Sequence, residues 1–259
     1  MTNPFKKDKK QVSIFVTAGY PQLNSLKPQL LQLQELGVDF AEVGIPFSDP
    51  MADGPVIQET SAIALQNGMK LELLLQQLEE MQEEITIPLV LMGYLNPVLQ
   101  FGLEKFLQRC QKLGIASLIL PDLSLELYET KYKPLFEKYS VPVTFLITPL
   151  TPNERVQRIA QACQNSFVYL VGQNSITGQG FRINEELTTR YTELKNLCGN
   201  TPLFIGFGID SRKKKEQAFA SVDGVIIGTA YLKAVKTDNE LLFLLELLKS
   251  NGHVQTRFR

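Results

Sequence analysis

Leu203-Phe204-Ile205-Gly206-Phe207-Gly208 and, one helical stretch later, Val225-Ile226-Ile227-Gly228-Thr229-Ala230 are the passages on which the fold turns. Each is an apolar run of strand length that ends in glycine. Runs that are apolar throughout suit strands buried on both faces of a parallel sheet, and glycines closing the last two strands stand where parallel barrels bind phosphate. The same grammar extends outward from this pair toward the amino terminus. Strands are expected at Ser13 to Thr17, Phe40 to Gly44, Pro88 to Met92, Ser117 to Leu120, Pro142 to Thr148 and Phe167 to Val171. Between them run stripes of helical spacing: Leu23, Leu26, Leu30 and Leu33, ended by Gly37; Leu71, Leu74, Leu75, Leu78 and Ile85; and Leu103, Phe106, Leu107 and Cys110. Later helices centre on Leu135, Ile159, Leu194 and Phe219, and Leu241 to Leu248 closes the chain.

About eight strand-helix units result, the number a closed parallel barrel needs, and about 250 residues is the usual length of one. An internal echo supports the repeat, because Leu36-Gly37-Val38-Asp39 and Leu113-Gly114-Ile115-Ala116 each put a helix-ending glycine just before a strand. No low-complexity linker or composition break marks a boundary. The expectation is a single domain over residues 1–259, an α/β (β/α)8 TIM barrel with short extra helices. An open doubly wound sheet shows the same alternation and stays as the alternative on pattern alone.

Composition narrows the function. A chain of 259 residues, 44% hydrophobic and 20% charged, buries about three quarters of its surface on folding. Its 26 Lys plus Arg against 27 Asp plus Glu leave a net charge of -1, which gives no pull toward nucleic acid. The one histidine, His253, lies in a short polar tail, so histidine triads and His-rich metal sites are not expected. Cys110, Cys163 and Cys198, an odd number at wide spacing on helical segments, read as buried reduced thiols in a reducing compartment. No apolar run reaches the roughly 18 residues of a membrane span. With no signal or transit peptide apparent before the first strand, a soluble protein is expected, cytoplasmic in a bacterium or stromal if plastid-encoded. Lys6, Lys7, Lys9 and Lys10 read as a solvated basic tip.

The working face of a parallel barrel is the carboxyl end of its strands. There the second strand carries Glu42 inside an apolar run, on the same side as Phe40 and Gly44 by alternation. If that side faces the interior, the carboxyl is short of water and its pKa rises, which suits acid/base work near neutrality. The competing reading is a Glu paired with Lys or Arg inside the barrel. Asp53 follows in a loop stiffened by Pro46, Pro50 and Pro55. It could return a second carboxylate to the mouth, or simply cap the helix that Pro55 begins, and Asp49 shares the ambiguity.

The segment Glu42-Val43-Gly44-Ile45-Pro46-Phe47-Ser48-Asp49-Pro50-Met51-Ala52-Asp53-Gly54-Pro55 resembles the signature of tryptophan synthase alpha chains. Phe15-Val16-Thr17-Ala18-Gly19, Met92-Gly93-Tyr94-Leu95-Asn96-Pro97, Pro121-Asp122-Leu123, Gly206-Phe207-Gly208-Ile209 and Gly228-Thr229-Ala230 agree in order, so the likeness spans nearly the whole chain. The resemblance implies retro-aldol cleavage of indole-3-glycerol phosphate to indole and glyceraldehyde 3-phosphate, a carbon-carbon lyase reaction of tryptophan biosynthesis, with no metal and no cofactor in this chain. By the same resemblance Glu42 is the acid/base and Asp53 the partner of the indole nitrogen. Phe15, Tyr94, Asp122 and Tyr169 map near the indole or glycerol, each with barrel filling as the alternative. Phosphate falls to Phe207, Gly208, Gly228 and Thr229, whose place is commonly Ser in the family, and to Gly178. Thr177 would order a lid within Gly172 to Phe181, where Gln173 and Ser175 depart from the family pattern. A pyridoxal-phosphate beta chain is the implied partner in an alpha2-beta2 heterotetramer, meeting the Ile45 to Pro55 loop and the segment around Asn96. A stand-alone indole-3-glycerol phosphate lyase and a catalytically silent activating subunit are the rivals.

Overall fold

The strands seen in a computed structural model, which describes residues 3–7, 9–172 and 185–249, follow the expected rhythm. They are β1 (Gln11–Thr17), β2 (Phe40–Gly44), β3 (Leu89–Met92), β4 (Ser117–Ile119), β5 (Val143–Thr144), β6 (Leu146–Ile147), β7 (Val168–Val171), β8 (Leu203–Gly206) and β9 (Gly224–Ile227). Every pairing is parallel, in the order β5-β4-β3-β2-β1-β9-β8-β7-β6. β5 and β6 are consecutive pieces of one stave, so the two ends of that order meet and the sheet closes as a (β/α)8 barrel. An open doubly wound sheet would leave two separate edges, and that alternative falls.

The stave expected as one run from Pro142 to Thr148 is broken at Phe145 for a visible reason. The Phe145 N–H turns to the Cys163 thiol (3.3 Å) rather than to a strand, while its carbonyl accepts from the Tyr169 N–H at 3.0 Å. Closure is thus kept across the break.

Helices lie outside the ring because their apolar faces match it. In the helix Leu103–Leu113, the residues Leu103, Phe106, Leu107 and Cys110 fall on one stripe and are buried. Burying a side chain such as Leu or Phe there stabilises the fold by about 1.5–3 kcal/mol. The helix ends at Gly114 in the left-handed region (φ 66°), with Gly114 N–H bonded to Gln111 O and Ile115 N–H to Cys110 O. Gly37 (φ 73°) ends Leu26–Glu35 by the same paired bonds, to Gln34 O and, from Val38, to Leu33 O. The echo in the sequence is therefore a repeated Schellman stop that turns the chain into the next strand. Short extra helices are present, among them Leu95–Phe101 ahead of Leu103–Leu113.

Some boundaries shift. The helix Leu71–Glu80 stops before Ile85, which packs against the core from beyond it. Cys163 and Cys198 sit just past the ends of Asn153–Ala162 and Glu185–Leu197, and all three cysteines are free and buried. Lys6, Lys9 and Lys10 are exposed, yet the segment is no loose tip: Phe5 is buried among them.

Inside the ring, side chains from alternate positions fill the lower half. Phe204 stacks on Phe40 and Phe167, the three ring centroids lie 4.8–5.6 Å apart, and Phe5 closes the amino-terminal end against Phe167 at 4.9 Å. Beyond this plug, toward the end where the strands finish, the interior carries Glu42 and Tyr169.

Candidate active site

Alternation along β2 places Glu42 two residues above Phe40, level with Phe15 on β1 and Val90 on β3. The side chain is 1% exposed, and its Oε2 is buried with no hydrogen-bond partner among the described residues. No Lys or Arg meets it in any described ion pair, which removes the structural reading of an interior salt bridge. Burial, and secondarily the negative charge of Asp53, push its pKa up to about 8. Glu42 is therefore mainly protonated at neutral pH.

Asp53 lies half-buried on the loop after β2. The helix Pro55–Gln66 begins with Gly54 in the capping position and no side-chain cap, so Asp53 does not cap it. Its Oδ2 instead accepts a hydrogen bond from the Tyr94 hydroxyl at 3.1 Å. Burial raises its pKa to about 6, with the Tyr94 bond pulling the other way. Two neighbouring carboxyls thus differ at pH 7, one holding its proton and the other having released it. Such a split is how paired carboxyls take acid and base roles.

The glycines of the signature runs are also accounted for by packing. A β-carbon at Gly44 would stand 2.4 Å from Phe15 Cζ, and one at Gly228 would stand 3.2 Å from Phe15 Cβ, so Phe15 lies in a slot that glycines leave open. A β-carbon at Gly206 would stand 1.9 Å from Tyr169 Oη. Tyr169 is buried at the same mouth, and burial, then the charges of Glu42 and Asp53, raise its pKa well above the ordinary tyrosine value. Phe15, Tyr169, Glu42 and Asp53 are thereby gathered around one opening.

At the ends of β8 and β9 the phosphate candidates share that rim. Phe207 (φ 76°) and Gly208 (φ 78°) are successive left-handed residues, a conformation that costs a non-glycine residue about 1–2 kcal/mol. Gly228 precedes the helix Thr229–Lys236, whose amino-terminal end carries the positive pole of the helix dipole. Thr177 and Gly178, with Gln173 and Ser175, lie outside the described residues.

Asp122 is engaged within the protein. Both its carboxylate oxygens accept from the Leu95 N–H, at 2.9 and 3.1 Å, so it holds the start of the helix Leu95–Phe101. Sequence reading also missed that the Tyr94 hydroxyl accepts from Ala52 N–H (2.9 Å) and that its ring lies 5.2 Å from Phe47. The Pro-rich loop gave a hint of rigidity, but nothing in the spacing pointed to a tyrosine 41 positions later as its anchor. Among the described residues no cluster of three His, Cys, Asp or Glu side chains could hold a metal ion, and no helix is long and apolar enough to cross a membrane.

Comparison with known proteins agrees with this geometry. The family model described as tryptophan synthase alpha chain matches residues 1–253. The tryptophan synthase alpha chain of Flavobacterium psychrophilum is 44% identical over 228 residues, covering 88% of this chain and 90% of that one. That of Flavobacterium johnsoniae is 42% identical, covering 90% and 92%. Among solved structures, the tryptophan synthase A-subunit of Pyrococcus furiosus superposes with a TM-score of 0.83 at 30% identity, covering 94% of this chain and 99% of that one. A chain of the aminoacrylate-bound tryptophan synthase from M. tuberculosis gives 0.81 at 26% identity, with 93% of each chain covered.

Proposed function

Given that the chain belongs to the tryptophan synthase alpha chain family, we propose that it cleaves indole-3-glycerol phosphate to indole and glyceraldehyde 3-phosphate at the mouth formed by Glu42 and Asp53. The observation that carries this reading is the split between the two carboxyls, with Glu42 near 8 and Asp53 near 6. A retro-aldol step of this kind needs a proton delivered to indole C3, a proton removed from the C3′ hydroxyl, and positive character stabilised at the ring nitrogen. Protonated Glu42 donates to C3. The Asp53 carboxylate accepts the indole N–H and stabilises the cationic ring. The C3–C3′ bond then breaks, its electron pair returning to the ring, while the C3′ hydroxyl gives its proton to the Glu42 carboxylate and becomes the aldehyde. One proton leaves Glu42 and one comes back, so the site is regenerated without an outside reagent.

Phe15 and Tyr169 flank the indole in this reading, and Tyr94 and Asp122 border it. The phosphate sits at Phe207, Gly208, Gly228 and Thr229, where backbone N–H groups and a helix start favour an anion. Thr177 and Gly178 complete the role by family likeness. No cofactor is assigned to this chain.

Indole passes to a pyridoxal-phosphate beta chain in an alpha2-beta2 heterotetramer. Its contact face is the carboxyl-end rim, where Met51 in the loop after β2 is 89% exposed and Leu99, close to the exposed Asn96, is 42% exposed. Apolar side chains this bare suit a surface that a partner covers. Free buried thiols fit a reducing compartment such as the bacterial cytoplasm.

The test is indole release from indole-3-glycerol phosphate by the purified chain, alone and with a beta chain. Turnover that rises on adding the beta chain supports the reading. Turnover unaffected by the beta chain points to a stand-alone lyase, and turnover absent in both conditions refutes the assignment.

A further inference from the structure

A carboxylate that must meet one N–H needs to be held still, and the loop carrying Asp53 is bordered on its exposed side by Met51 and Ala52, both open to solvent. What ties it down comes from the next two staves. The Tyr94 hydroxyl sits between two groups of this loop, donating to Asp53 Oδ2 at 3.1 Å and accepting from Ala52 N–H at 2.9 Å. Its ring is 6% exposed and lies tilted by 32° on Phe47, whose position on the same loop makes a third point of attachment. Tyr94 in turn is the residue just before the helix Leu95–Phe101, and the first N–H of that helix is gripped by both oxygens of Asp122 at 2.9 and 3.1 Å. Three successive barrel loops are thus linked, from Asp122 after β4, through Leu95 and Tyr94 after β3, to Ala52 and Asp53 after β2.

We propose that Tyr94 and Asp122 are positioning residues, Tyr94 orienting the Asp53 carboxylate through its hydroxyl and Asp122 fixing Tyr94 by anchoring the Leu95 N–H. The consequence for activity rests on the reading of Asp53 as the partner of the indole nitrogen. The arrangement itself does not, because it is visible in the free chain.

A phenol that donates to a carboxylate favours its ionised form. Loss of that donor raises the Asp53 pKa, whereas loss of mere packing would lower activity at every pH alike. Asp122 makes no hydrogen bond to Asp53, so its removal acts through Tyr94, whose place it fixes by way of Leu95 and whose phenol also feels its charge. Asn at position 122 keeps an acceptor for the Leu95 N–H and rescues the arrangement.

The experiment uses the full-length chain with 13C-labelled aspartate carboxyls, the Asp53 resonance being assigned by its loss in Asp53→Asn. Titration by NMR is run on the wild type, Tyr94→Phe, Asp122→Ala and Asp122→Asn, with thermal melts to confirm folding. Tyr94→Phe is expected to move the Asp53 midpoint up by about one pH unit, a tenfold change in ionisation. Asp122→Ala should move it in the same direction and Asp122→Asn should leave it near the wild type. The acid limb of kcat/KM for indole-3-glycerol phosphate should follow the same order. An Asp53 midpoint unmoved in folded Tyr94→Phe overturns the proposal, as does a midpoint unmoved by Asp122→Ala. If the midpoints move as stated but Asp53→Asn keeps full turnover, the positioning stands and the role given to Asp53 falls.

Discussion

Replacing Glu42 by Gln should stabilise the protein while disabling it, and the gain should grow with pH. In the unfolded chain this carboxyl titrates near 4.5, and in the folded chain burial and the charge of Asp53 hold it near 8. Between those values the folded state keeps a proton that the unfolded state has released, so folding stability falls as pH rises through the window. At 1.36 kcal/mol for each unit between the two midpoints, the penalty is about 1 kcal/mol at pH 5, about 3 kcal/mol at pH 7 and about 4 kcal/mol at pH 8. Gln has nearly the same shape and does not titrate, so Glu42→Gln removes the penalty without opening a cavity. Urea unfolding at pH 5, 7 and 8 measures it through the midpoint difference at constant slope. By thermal unfolding the same gap is a rise of roughly 2–4 °C per kcal/mol for a chain of this size. A gap between variant and wild type that stays constant from pH 5 to pH 8, or a variant less stable than the wild type at pH 8, would refute the claim that a buried, water-poor carboxyl sits at this mouth.

Other outcomes follow from individual contacts. Gly206→Ala places a methyl group 1.9 Å from Tyr169 Oη in a side chain 7% exposed, so it should cost about 1–3 kcal/mol in urea unfolding and lower kcat/KM by displacing Tyr169; unchanged stability would contradict the packing. Lys215, buried on the helix Arg212–Phe219, donates to the Leu247 carbonyl at 2.7 Å, and Lys215→Met should destabilise by roughly 1–3 kcal/mol with turnover retained at temperatures well below melting. Burial raises the pKa of all three thiols, Cys163 and Cys198 to about 12, so a thiol reagent at pH 8 should label none in the native chain and three after unfolding.

Much of the barrel was legible because its signals are local. The apolar run Phe40 to Gly44 matches β2 residue for residue, and the glycine stops after Leu36 and Leu113 turn the chain where the sequence places them. Glu42 could be found for the same reason: alternation within a single strand fixes its side, and burial follows from closure. The break at Phe145 could not be found, since it depends on a thiol 18 positions away taking the backbone N–H. The sequence leaves Asp53 open between cap and carboxylate because the choice is made by Tyr94, which reaches it from another stave. The resemblance puts Asp122 near substrate, with barrel filling as the alternative, and its engagement with Leu95 likewise arises only when two loops meet. The double use of Gly44, Gly206 and Gly228, as slots for Phe15 and Tyr169, is tertiary for the same reason.

The proposed cleavage needs Glu42 protonated and Asp53 ionised as the reaction begins. The most direct measurement is kcat/KM for indole-3-glycerol phosphate from pH 5 to pH 9 in the wild type, Glu42→Gln and Asp53→Asn. The wild type should give a bell with limbs near 6 and 8, and Glu42→Gln should lose turnover by about a hundredfold or more at every pH. A wild-type profile flat across that range, or a Glu42→Gln variant that still turns over at the wild-type rate, would contradict it.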